Sequence, residues 1–143
     1  SALAEAQQRG IAETDPALDI DGWDTANKLV IIANGILNVD IKLSNVEVTG
    51  IRTVTTDQLK ALSEVGKTVK LIALAQRVKS EYQLTVSPTI VERTGFLGSC
   101  NGWEMGIELH TDIYGTLYHK SWEDTPLPTA AAMLRDALNL YRD

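Results

Sequence analysis

Thr68 to Val78 is an unbroken run with strand-forming character, and Lys79-Ser80-Glu81 reads as a turn. Tyr82 to Val86 follows as a partner strand. So short a connection allows only antiparallel neighbours, because a parallel pair needs a crossover of a dozen residues or more. Pro88 is expected to stop the second strand, since proline cannot donate to a ladder. A second hairpin is expected from Trp103–Thr111 and Thr116–Ser121, turned by Ile113–Gly115.

Helices flank these strands. Leu3 to Arg9 reads as the middle of a helix ended by Gly10, as expected of a chain cut from a longer protein. Asp21 is the expected N-cap of a second helix that runs to about Leu37 and ends at Asn38–Asp40. Its middle, Leu29 to Ala33, is apolar nearly all round, which predicts burial on more than one side. Val46–Val48 is a short strand before Gly50, and Thr55 to Asp57 cap a helix over Gln58–Val65 that Gly66 stops. Pro126 and Pro128 lead into a last helix from Thr129 to about Tyr141. Helices first, then mostly antiparallel strands, then a helix is an α+β order: a mostly antiparallel or mixed sheet covered by helices. At 143 residues and 44% hydrophobic, one domain with a real core is expected over 1–143.

Several functions are disfavoured. A net charge of −6 is wrong for a nucleic-acid or anionic-membrane partner. The three tryptophans, Trp23, Trp103 and Trp122, lack the basic neighbours of a base-stacking surface and are expected in the core or an interface. No run approaches the roughly 20 apolar residues of a membrane helix. Neither GxGxxG nor GxxxxGK[ST] occurs, so no nucleotide-binding loop is recognisable. Cys100 is the single cysteine and no secretory signal opens the sequence, which fits a reducing, cytoplasmic setting. His110 and His119 lack the spacing of zinc ligands.

The chemistry concentrates in Gly10 to Lys28, where five carboxylates and one lysine surround a loop-to-helix junction. Asp24 and Lys28 are four apart on a helix and share a face. As a surface ion pair they would contribute only about 0.3–0.5 kcal/mol. Alternatively, Lys28 abuts the apolar run and is partly buried, which would lower its pKa toward proton-transfer chemistry. Asp19, Asp21 and Asp24 could be caps and solvated loop residues. They could also hold calcium, but the EF-hand register fails, so no metal is expected.

The same stretch resembles a segment of the homoserine dehydrogenases that reads roughly G-[YI]-[AT]-E-x-D-P-x-x-D-[LIV]-x-G-x-D-x-x-x-K, with every fixed position met between Gly10 and Lys28. Leu29–Ala33, Val46–Thr55 and Pro128-Thr129-Ala130 follow in that family's order. The resemblance implies the later part of a catalytic, substrate-binding domain without its nucleotide-binding domain. It implies reversible conversion of L-homoserine to aspartate 4-semialdehyde with NAD or NADP, on the route to threonine and methionine, and a homodimer formed through the sheet. It implies that Glu13 and Asp19 hold the amino-acid substrate, and that Asp24 and Lys28 lie at the reacting oxygen with Lys28 moving the proton. With the nucleotide-binding domain absent, the isolated chain is expected to bind no cofactor and to be inactive. The family's glycine-rich loop before P-T-A is replaced by Lys120 to Leu127, a bulkier and more acidic stretch that would alter cofactor approach. The alternative is a non-catalytic dimerisation or small-ligand-binding module of the same descent.

Overall fold

The structure is a computed structural model that describes residues 2–8 and 14–141. The chain divides into two compact units, Ser1–Val91 and Glu92–Asp143. The first contains α1 (Ala2–Gln8), α2 (Ala17–Ile20), α3 (Trp23–Leu37), β1 (Val46–Val48), α4 (Thr56–Glu64), β2 (Lys67–Val78) and most of β3 (Glu81–Glu92). The second contains α5 (Phe96–Ser99), β4 (Glu104–His110), β5 (Thr116–Trp122) and α6 (Leu127–Asn139). This is the expected α+β class, but the strands form two sheets rather than one: a three-stranded sheet in the order β1-β3-β2 and the two-stranded β4-β5.

In the first unit the mixed sheet carries α3. β1 runs parallel to β3 with Val46 opposite Leu84 and Val48 opposite Val86. Leu84 and Val86 share one face of the strand, as residues two apart must. Ala26, Leu29 and Ala33 form one stripe of α3, and with Val46, Leu84 and Val86 they make the buried core. The two alanines allow the helix axis to approach the sheet closely. Asn34 fixes the chain's return, donating to the Ile41 carbonyl and accepting from the Ile41 amide at 2.9 Å each.

Two expectations are corrected here. The apolar middle of α3 is not buried all round: Ile31 is 72% exposed and Ile32 36% exposed. The sheet covers one face of the helix, and the opposite stripe remains open. Nor does β3 end before Pro88; it runs on to Glu92. The Val86 carbonyl accepts from the Thr49 amide at 2.8 Å, so even-numbered groups of β3 face β1 there. β1 has ended by Pro88, and the missing N–H costs no ladder bond.

Local signals act as expected elsewhere. Thr55 caps α4 through a reciprocal pair with Gln58, and Gly66 leaves the helix at φ +74°. In the second unit, β4 and β5 pair antiparallel from Glu104↔Trp122 to His110↔Thr116. The Phe96 ring packs 4.8 Å from that of Tyr118. α6 starts at Leu127, two residues before the expected position, because Pro128 is tolerated in a first turn whose amides lack helical partners. Among the described residues, no helix is long and apolar enough to cross a membrane.

Candidate active site

The acidic junction is built from the local chain outward. After Pro16, the Asp15 carboxylate accepts the Ala17 amide at 3.1 Å and opens α2, a single turn that presents Asp19 to solvent. Asp21 closes that turn. Gly22 follows at φ +84°, a conformation that costs glycine nothing. A β-carbon there would also crowd Val48 and Val86 at 3.2 and 3.3 Å. Its carbonyl accepts the Ala26 amide at 3.0 Å, which starts α3.

Asp21 is therefore not the N-cap of α3. That position belongs to Gly22, with no side-chain cap. The Asp21 carboxylate instead takes both arms of the Arg52 guanidinium, Nε to Oδ1 and Nη2 to Oδ2, the latter at 2.9 Å. A forked cation offers two charge-assisted bonds where a cap offers one backbone amide. Arg52 escaped the sequence reading because it lies 31 residues from Asp21. Gly50, two residues before it, was the only nearby mark of close approach.

The Arg52 hydrogen bonds, and then its charge, hold the Asp21 carboxyl below the ordinary carboxylate range despite some opposing desolvation. A depressed folded pKa means stability that is present above the unfolded value and lost as pH falls through the folded one. The gap in thermal midpoint between the parent protein and an Asp21→Asn variant is thus expected at neutral pH and should close below about pH 4. A gap unchanged in stronger acid would show that the ion pair does not stabilise the junction.

Asp24 and Lys28 do converge. The Lys28 ammonium lies 2.8 Å from Asp24 Oδ2, with side-chain exposures of 63% and 42%. Asp24 also sits in the first turn of α3, where the helix dipole favours a carboxylate. The expected partial burial of Lys28 is not found. Leu29 is buried, but one residue is 100° of helix rotation, and this turns Lys28 to the open side. Asp19 is exposed, and no hydrogen bond or ion pair joins it to Asp24 or Lys28. Glu13 lies outside the described residues.

This arrangement offers solvent a cation held by one carboxylate, with a further carboxylate on the preceding turn. Such a set can donate a proton or hydrogen bond to a substrate oxygen and attract a substrate ammonium. Neither a GxGxxG nor a GxxxxGK[ST] phosphate loop occurs in the sequence.

Comparison with known proteins bears on this junction. The homoserine dehydrogenase family model matches residues 1–138. The homoserine dehydrogenase of Methanocaldococcus jannaschii is 36% identical over 99% of this chain and 40% of its own length. That of Helicobacter pylori is 32% identical over 99% of this chain and 34% of its own length. A crystal structure of the S. aureus homoserine dehydrogenase superposes with a TM-score of 0.87 at 30% identity, covering 98% of this chain and 36% of that one. A putative homoserine dehydrogenase from Archaeoglobus fulgidus gives 0.81 at 37% identity, over 97% of this chain and 42% of its own. The sequence thus spans 34–40% of the length of the two curated relatives. Over nearly all of its own length, in sequence and in fold, the chain belongs to the homoserine dehydrogenase family.

Proposed function

We propose that this chain is the substrate-binding, catalytic part of an NAD(P)-dependent homoserine dehydrogenase that interconverts L-homoserine and aspartate 4-semialdehyde on the route to threonine and methionine. The observation that carries this reading is the Asp24–Lys28 pair at the start of α3, solvent-open and inside the family's matched segment. In the reducing direction the aldehyde carbon receives a hydride, and negative charge develops on its oxygen. Lys28 stabilises that charge and gives the oxygen a proton, while Asp24 holds the ammonium in place. The carboxylates of Asp19 and Glu13 match the substrate's positively charged amino group. NAD or NADP is held by residues other than these, and a homodimer through the sheet, in a cytoplasmic enzyme, completes the reading.

The test follows NAD(P)H formation with L-homoserine in the whole gene product. Homoserine-dependent turnover is expected from the whole protein, and none above background from the purified 143-residue chain, because hydride transfer needs a cofactor held against the substrate. Turnover by the isolated chain would overturn this division of labour. No turnover by the folded whole protein with either nucleotide would favour the non-catalytic module.

A further inference from the structure

We propose that Asp21 and Arg52 act as a positioning clamp that sets the start of α3, and with it the Asp24–Lys28 pair, against the substrate; this rests on the dehydrogenase reading above. Neither residue is assigned to the reaction itself. Both lie at the joint on which that reaction's groups are mounted.

The geometry supplies the link. Asp21 directly precedes Gly22, the cap of α3, and Asp24 is three residues further on. Arg52 comes from the loop after β1, so the ion pair ties two segments remote in sequence. The same loop is fastened twice more. The Ile51 amide donates to the Ile20 carbonyl at 2.8 Å, and the Thr49 amide to the Val86 carbonyl at 2.8 Å. A connected path therefore runs from β3 through residues 49–52 to residues 20–22 and into α3. Asp15 adds a weaker electrostatic attraction for the guanidinium.

An exposed ion pair ordinarily contributes little, because two flexible side chains must be ordered to make it. Two features set this one apart. The contact is bidentate, which fixes orientation as well as distance. It also crosses between segments, so it restrains the backbone of a glycine-containing joint rather than decorating one helix. Without it, Gly22 remains the most permissive point in the junction, and α3 can pivot there. A misplacement of about 1 Å at reacting groups is enough to cost rate strongly.

The experiment uses the whole gene product with L-homoserine and NAD(P)+, in the parent and in Arg52→Ala, Asp21→Asn, the double variant and Arg52→Lys. Each single variant is expected to lose roughly ten-fold in kcat, with KM for the nucleotide within about two-fold. The double variant should lose no more than either single, and Arg52→Lys, which keeps the charge but not the fork, should recover part of the loss. Single variants within two-fold of the parent would overturn the clamp. So would losses that multiply in the double variant, or losses that appear only near each variant's unfolding temperature. If the parent itself shows no homoserine-dependent turnover, the dehydrogenase reading fails and the clamp with it, which separates the two failures.

Discussion

Replacing Lys28 by alanine in the whole gene product is expected to reduce homoserine-dependent NAD(P)H formation by about 10²- to 10⁴-fold, the range typical of a lost proton-transfer group. The loss should fall on kcat more than on KM for homoserine. The lysine's largest interaction forms with the oxygen only as its charge develops. Stability should hardly change. Lys28 is 63% exposed, and among the described residues it pairs with Asp24 alone, an i,i+4 contact of small thermodynamic weight. A folded Lys28→Ala protein with kcat within a few-fold of the parent would remove Lys28 from the chemistry. Asp24→Asn should give a smaller loss in the same direction, because it frees the ammonium without deleting it.

Gly50→Ala should have the largest structural effect of any single methyl addition at the junction. The new β-carbon would lie 2.3 Å from the Ile20 carbonyl oxygen and 2.6 Å from the Asp21 α-carbon. Both are backbone atoms, so no side chain can swing aside. The loop after β1 must withdraw, which strains or breaks the Ile51–Ile20 hydrogen bond and drags Arg52 from Asp21. A cost of about 1–3 kcal/mol is expected from overpacking of this kind. It should appear as a lower thermal midpoint together with reduced homoserine turnover. Gly35 provides the control. It lies inside α3 with no atom within 4 Å of an added β-carbon, so Gly35→Ala should stabilise by about 1 kcal/mol through helix propensity. Equal effects of the two substitutions would show that residues 20 and 50 are not in close approach.

Much of the architecture was legible in the sequence because its signals are local. Thr55 and Gln58 are three residues apart and cap α4 without help from the rest of the chain. Lys79–Ser80 closes a hairpin for the same reason, and the four-residue spacing of Asp24 and Lys28 sufficed to pair them. The family pattern from Gly10 to Lys28 marked the junction as the candidate site.

Tertiary structure decided what spacing cannot express. Lys28 adjoins a buried leucine in sequence, yet the helix rotates it to the open side. Pro88 continues a strand because its neighbour β1 has already ended. Asp21 has the composition of a cap, but a guanidinium 31 residues away offers two charged donors and takes it. In each case the sequence by itself determined which groups were available, through residue type and local geometry. The choice among competing partners was made by distance in the folded chain, where electrostatic and packing energies are set.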